Sequence, residues 1–287
     1  TQTQEWTEDR LASVTGHSRS NIYIHTTLLG GGLGRRLETD FVAQAAEISM
    51  ACGKPVQLIW SRENDTQHGF YRPAFRGKIH GSIDKEGNLT GLRHRNVGQF
   101  ILQNFAPGFV IDIVRRFPNW LNQDIDELAQ QGAINRGYDI PNQEISFVRT
   151  ECPVPIGNHR AVGHVHNAFC TESFLDEAAH ASKQDPMAFR KRLLEKSPRY
   201  LAVMERAAKE ANWGHPPEGR YQGMAVHGAF GSFTCQIAEV SVSQDGKLKV
   251  HRVTCAVDCG MVVHPDTVKS QMEGGLAFGL SGALGEA

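Results

Sequence analysis

Residues 30–34 read Gly30-Gly31-Gly32-Leu33-Gly34, with Arg35 and Arg36 immediately after. A stretch so poor in side chains frees its backbone N–H groups and lets a flat polar ligand approach the chain closely. The preceding "NIYIHTTLLGG" reads as a strand from its β-branched and aromatic residues. A helix start follows, and its positive end faces the same space. Neither common nucleotide motif is present. The dinucleotide fingerprint needs glycine at its first, third and sixth positions; counted from Gly30 the sixth is Arg35, and from Gly32 it is Leu37. The Gly-Lys-Ser/Thr phosphate loop is absent too. The competing use of these glycines is a tight turn with close helix–strand packing.

Three other stretches carry chemistry-bearing types. Thr1-Gln2-Thr3-Gln4 places an amide before the first helix. "PVPIGNHRAVGHVHNAF" holds His159, His164 and His166 with Arg160. Three imidazoles could bind zinc, although no carboxylate lies at matching spacing and each ligand would need a partner for its other nitrogen. The same loop can instead hold Arg160 as a fixed cation next to a helix start. In "VDCGMVVHPDTVKSQMEGG", Gln271 lies between a His-Pro turn and Gly274-Gly275, and its amide can both donate and accept.

The elements that position these residues follow from punctuation and period. "TEDRLASVTG" reads as a helix stopped by Gly16. Thr39 or Asp40 caps a helix through "FVAQAAEISMACG", with Phe41, Ala45, Ile48 and Cys52 on one face and Gly53 as the stop. "PVQLIWSRE" reads as a strand. "FRGKIHGSIDKEGNLTGLRHRNVGQ" alternates around Glu86-Gly87-Asn88 and reads as a hairpin, and "CQIAEVSVSQDGKLKVHRVTCAVDCG" repeats the plan around Asp245-Gly246. Residues 100–136 read as loop plus a short helix. Helices follow in "HNAFCTESFLDEAAHASKQ", with Phe169, Phe174 and Ala178 inward, in "PMAFRKRLLEK" behind Asp185-Pro186, in "PRYLAVMERAAKEANW" and in "HPDTVKSQMEGGLAFGLSGAL". Helices and hairpins without strict alternation predict an α+β architecture of mixed sheets, long hairpins and packed helices. The expected domains are 1–195 and 196–287.

Composition excludes some classes. The 287 residues are 40% hydrophobic with a formal net charge of −1. No broad basic face for nucleic acid is implied, and "LRHRNVG" reads as a solvated strand face. No run of 18 apolar residues encodes a membrane span. The six cysteines, Cys52, Cys152, Cys170, Cys235, Cys255 and Cys259, form no CxxC pair and are expected as buried free thiols. The opening "TQTQEWTEDR" lacks an initiator Met, and a longer parent chain is expected.

Taken in order, "TQ", "GGGLGRR", "RAVGHVHNAFCTESFLDE" and "VDCGMVVHPDTVKSQMEGG" resemble the molybdenum-binding large subunits of the xanthine oxidase family. The resemblance is to the isoquinoline 1-oxidoreductase beta and aldehyde dehydrogenase large-subunit type, and it runs over nearly the whole chain. It implies molybdopterin-binding domains and a molybdopterin cytosine dinucleotide cofactor. By that likeness Gln2 hydrogen-bonds an oxygen ligand of molybdenum and Gly31, Gly32, Leu33 and Gly34 pass beside the metal and its pterin dithiolene. Arg160 supports the site, and Gln271 bonds the pterin. Gln2 and Arg160 are the implied catalytic residues. The implied reaction is hydroxylation of an N-heteroaromatic ring or oxidation of an aldehyde, with oxygen from water. Electrons would pass to a separate iron–sulfur subunit, and a cytochrome c is a further partner.

The chain departs from that pattern in places. The family's general base is a glutamate in Gly-Glu-Pro, which does not occur; Gly285-Glu286-Ala287 follows the glutamine helix too soon. The base is therefore expected on remaining parts of the subunit. Leu33, Leu37 and Val162 stand where purine-oxidising members carry phenylalanine, glutamate and an aromatic, which disfavours a purine. A periplasmic or periplasm-facing complex is expected, with a cytoplasmic one as the alternative. Two rival readings are a cofactor-free scaffold of the same fold and a zinc hydrolase built on His159, His164 and His166.

Overall fold

A computed structural model of the chain describes residues 1–101, 126–134 and 136–285. The expected loop at 100–136 therefore lies mostly outside the described residues, as does Glu286. The chain forms two compact units, neither continuous in sequence. The first comprises Thr1–Gly77, Arg95–Gln131 and Ser146–Gly163; the second comprises Lys78–His94, Gly132–Ile145 and His164–Ala287. The division passes through β1 (Phe75–Ile83), β2 (Leu89–Gly98) and β3 (Asn142–Arg149), a three-stranded sheet in that order. The β1–β2 turn is closed by Asp84, whose Oδ1 accepts from Asn88 N at 2.8 Å, and by Gly87 at φ 80.

The first unit carries α1 (Gln4–Thr15), α2 (Asp40–Cys52), α3 (Arg62–Gln67) and α4 (Glu127–Gln130). Gly16 and Gly53, both left-handed, end α1 and α2 as expected. Asp126 ties the end of the unit together. Its carboxylate caps α4 through Ala129 N at 3.0 Å and also accepts from Ile101 N. A small core of Phe100, Ile101, Ala129 and Phe147 forms there, with Phe75, Leu128 and Val162 against it.

The second unit carries α5 (His164–Ala181), α6 (Pro186–Leu193), α7 (Pro198–Ala211) and α8 (Pro265–Leu284), with an antiparallel sheet β4 (Tyr221–Ala229), β5 (Ser232–Val242), β6 (Leu248–Asp258). Tyr200, Val203, Met204, Ala207, Ala208 and Ala211 recur at helical spacing on α7 and are buried in one core with Met224, Val226, Cys235 and Ile237 of the sheet. Each large side chain so buried contributes about 1.5–3 kcal/mol. A buried ionic knot completes this unit. Arg190 donates to the Glu172 carboxylate at 3.0 Å and to Asp176 at 2.6 Å, while Tyr138 OH and Val226 N donate to Glu172, each at 2.9 Å. Removing one partner would strand a charge away from water.

The architecture is α+β, with both long hairpins where the Gly87 and Gly246 turns predicted them. Several local expectations fail. Residues 22–29 and 55–60 are not paired strands. Their β-forming residues favour extended backbone, but a strand exists only where a neighbour supplies the ladder. On α2 only Ala43 is buried, and Ile48 and Cys52 are exposed. Phe169 is 73% exposed, because the inward stripe of α5 runs through Thr171, Glu172, Leu175, Ala178 and Ala179. The Glu172–Arg190 pair, more than the aromatic, orients that helix. Among the cysteines, all free, only Cys235 is buried. In "LRHRNVG", Arg93 and Arg95 are solvated as expected, but His94 and Asn96 point inward. Among the described residues no helix is long and apolar enough to cross a membrane.

Candidate cofactor and substrate site

The chain start docks on the backbone just after the glycine loop. Gln2 N donates to the Arg36 carbonyl at 2.8 Å, and Thr1 Oγ1 donates to the same carbonyl at 3.2 Å. The Gln2 side chain then crosses Gly32. A Cβ on Gly32 would lie 2.2 Å from Gln2 Cδ, so no side chain can coexist there with this amide. Gly34 N donates to Gln2 Oε1 at 3.1 Å. A backbone N–H must meet oxygen, so this bond fixes the amide's orientation and leaves its NH2 as a donor, with no other partner among the described residues. The loop is sharply bent, with Gly31 at φ 150, Leu33 at φ 52 and Gly34 at φ 91.

What holds the loop is its exit. Arg35 makes a two-pronged pair with Asp40, at 2.9 Å to each oxygen, and its guanidinium lies over Phe41, Trp60 and Phe70. Charge-assisted bonding plus ring faces anchors the chain at that point.

A second loop, Gly157–Val162, packs against the first. A Cβ on Gly34 would lie 2.3 Å from the Asn158 carbonyl oxygen and 2.8 Å from His159 N. Glu38 Oε1 accepts from Asn158 N at 3.0 Å and from Asn158 Nδ2 at 3.1 Å. An isolated parallel bridge between Tyr71 and Ile156 brings the Phe70–Pro73 segment alongside. Across it, Arg72 Nη2 donates to the Arg160 carbonyl at 2.8 Å and Nη1 to the Val162 carbonyl at 3.4 Å. The His159 ring meets the Phe70 carbonyl at 3.1 Å. Burial pushes the His159 imidazole below its ordinary value; the Phe70 carbonyl opposes this, and the Arg72 and Arg35 charges add to it. The neutral form of the ring, with one N–H to donate, is favoured by this shift.

Between the loops lies a cavity of about 210 Å³. Leu37, Phe75, Ile101 and Val162 make its largely apolar wall, and Arg72 and Arg160 are among its other lining residues. Its size and lining suit a small flat ring rather than a large ligand.

The structure thus brings together Gln2, Gly32, Gly34 and the Arg160 loop, all in the first unit. Gln271 is exposed on the second turn of α8, in the other unit. Its helix is capped by His264, whose Nδ1 accepts from Thr267 N at 3.1 Å. The approach to α8 is pinned by Asp258, which takes two bonds from Arg199 and one from Gly260 N; these hold its carboxyl down to about 2. The histidine cluster does not form a metal site. Among the described residues no group of three His, Cys, Asp or Glu could hold an ion. His159 is spent on Phe70, and His164 Nδ1 faces His227 Nε2 at 2.9 Å. Glu38, Arg72 and Asn158 were not picked out from the sequence, although Asn158 lies within the quoted histidine stretch, because each is bound to groups far along the chain.

A fixed amide donor over a backbone poor in side chains, beside a small, largely apolar cavity that Arg160 also lines, is an arrangement that can hold a flat polar cofactor next to a small ring. Comparison with known proteins makes this specific. A molybdopterin cofactor-binding domain matches residues 1–103, and a second of the same description matches residues 172–287. The chain is built from two molybdopterin cofactor-binding domains of the xanthine oxidase family. It is 33% identical over 282 residues to the isoquinoline 1-oxidoreductase subunit beta of Brevundimonas diminuta, covering 96% of this chain and 35% of that protein. It is 29% identical to a membrane-bound aldehyde dehydrogenase (pyrroloquinoline-quinone) of Gluconacetobacter polyoxogenes, covering 93% of this chain and 37% of the relative. The chain thus spans about a third of the length of these relatives. The crystal structure of quinoline 2-oxidoreductase from Pseudomonas putida 86 shares the fold, with a TM-score of 0.57 at 19% identity over 87% of this chain and 35% of that one.

Proposed function

We propose that this chain supplies the cofactor-holding wall of a molybdenum oxidoreductase that hydroxylates an N-heteroaromatic ring or oxidises an aldehyde, with water as the oxygen source. One observation carries the reading: Gly34 N–H orients the Gln2 amide over Gly32, where a Cβ would lie 2.2 Å from it. Such an arrangement costs backbone freedom and serves to present a donor at a bare loop. The residues fit a molybdopterin in a second respect. A Cβ at Gly30 would meet nothing within 4 Å, so packing within the chain does not explain this glycine, and that side of the loop is open to a ligand.

In this reading Gln2, Gly31, Gly32, Leu33, Gly34, Arg160 and Gln271 hold the cofactor in its cytosine dinucleotide form. When bound, the group supplies two-electron redox chemistry, and the protein supplies orientation and electrostatics. The Gln2 NH2 donates toward a cofactor oxygen. Arg160 offsets negative charge that develops in the reaction, and it does so more strongly in a cavity closed to water. Leu37, Phe75, Ile101 and Val162 admit an apolar ring and offer no carboxylate to a purine. The general base lies on remaining parts of the subunit. Electrons leave to an iron–sulfur small subunit, because the six scattered cysteines offer no cluster spacing, and a cytochrome c is proposed as a further partner on the family likeness alone. We place the complex facing the periplasm.

The test uses the full-length subunit with its co-purifying partners, an artificial electron acceptor and 18O-labelled water, offered isoquinoline and a panel of aldehydes. Incorporation of label into a hydroxylated ring or a carboxylic acid supports the proposal. Turnover of neither class, with a molybdenum-free protein, would favour the scaffold reading.

A further inference from the structure

Ala161 and Val162, which follow Arg160, have an unusual backbone. Val162 N donates to the His159 carbonyl at 3.1 Å, closing a four-residue turn around Arg160 and Ala161. Ala161 sits at φ 72 in the third position, where glycine is usual. Val162 follows at φ 44, an outlier for a β-branched residue. Two successive left-handed side-chain-bearing residues are strained, and strain of this kind persists only where the surroundings over-determine it.

Arg72 provides that constraint. Its forked guanidinium reaches the Arg160 carbonyl at 2.8 Å and the Val162 carbonyl at 3.4 Å, one on each side of the strained Ala161. Arg72 is itself fixed from both sides. Tyr71 N donates to the Pro155 carbonyl at 2.9 Å, Gly157 N donates to the Tyr71 carbonyl at 3.1 Å, and Pro73 restricts the backbone after it. Half-buried, it makes no ion pair among the described residues, and burial lowers its pKa. Its charge is directed at carbonyl dipoles of one loop. A surface arginine would have kept its charge in water.

We infer that Arg72 is a positioning residue: it clamps the strained turn on both sides of Ala161 and so holds Arg160 at the cavity wall. The inference rests on the cofactor reading for its effect on catalysis, but the clamp itself is a property of this chain. The fork matters, because a lysine ammonium is a point donor and spans the two carbonyls poorly.

The experiment compares wild type, Arg72→Met and Arg72→Lys in the full-length protein with its partners. The first readout needs neither cofactor nor substrate: the rate of tryptic cleavage of the Arg160–Ala161 bond, followed by mass spectrometry. Cleavage should be about tenfold or more faster in Arg72→Met and intermediate in Arg72→Lys, since proteolysis reports opening of the loop. The second is kinetic, with whichever of isoquinoline or an aldehyde the wild type oxidises. Per bound molybdenum, kcat should fall about tenfold or more with KM nearly unchanged, and Arg72→Lys should recover part of it. Unchanged cleavage at Arg160 overturns the clamp, whatever happens to the melting temperature. Faster cleavage with unchanged kcat per molybdenum overturns the positioning role. A wild type without molybdenum sinks the cofactor reading instead, and the proteolysis arm still decides the clamp.

Discussion

Gly34 N and Gln2 Oε1 lie 3.1 Å apart, and the Gln2 side chain passes so close to Gly32 that a single added carbon there would overlap it. The two glycines of this contact differ in a measurable way. At Gly32 the obstructed group is an exposed, flexible side chain, so Gly32→Ala should displace Gln2 and cost little stability, within about 1 kcal/mol. At Gly34 the obstructed group is the Asn158 backbone and φ is 91, so Gly34→Ala should cost about 3 kcal/mol or more. Urea unfolding separates the two. Equal losses would mean that the loops are not packed as described.

Glu38 is the tie between the glycine loop and the Arg160 loop. Glu38→Ala removes the acceptor for both Asn158 donors and should destabilise by about 2 kcal/mol, whereas Glu38→Gln keeps an oxygen in place and should lose less than half of that. Denaturant midpoints of the two variants check this. A neutral Glu38→Ala would show that Asn158 is held by other means.

The Glu172–Arg190 knot makes a third prediction, in the second unit. Arg190→Met leaves Glu172 buried without its cation and should cost about 3–5 kcal/mol. Replacing both with apolar residues of similar volume should restore much of that loss, read by thermal melting. A double variant as unstable as the single would argue that Tyr138 and Val226, left without an acceptor, dominate.

His164 and His227 predict a pH dependence. Burial first, and then the neighbouring His164, lower the His227 imidazole from 6.5 to about 4. Between those values the unfolded chain binds more protons than the folded one. Stability is therefore full above pH 6.5, declines as pH falls toward 4, and levels off below it. The loss is at most about 3 kcal/mol. His227→Gln should flatten this part of the curve, measured as denaturant midpoint against pH. A slope unchanged in the variant would assign the titration to another group.

Much of this was legible in the sequence wherever a single residue dictates geometry. Gly16 and Gly53 ended helices, Gly87 and Gly246 turned hairpins, and Asp185 with Pro186 opened a helix, because each acts through its own φ or its own side chain. Pairing was not legible. Residues 22–29 look like a strand and are not in one, since a ladder depends on a partner elsewhere in the chain. Buried faces were misjudged for the same reason: on α5 an ion pair to Arg190 turns Glu172 inward and leaves Phe169 out. At the site, the glycine loop, Gln2 and Arg160 stood out by type and order. Arg72 and Glu38 did not, because they bind loop groups 88 and 120 residues away, and backbone partners, acceptors for Arg72 and a donor for Glu38, leave no mark in a sequence.

The bare loop under Gln2 is proposed to hold a molybdenum cofactor. The most direct test is elemental mass spectrometry of the native full-length subunit and its Gly32→Leu variant, quantifying molybdenum and zinc per chain. We expect about one molybdenum per subunit in the wild type and a loss of most of it in the variant, with thermal stability nearly retained. A wild type without molybdenum, or a Gly32→Leu variant that keeps its full complement, would contradict it.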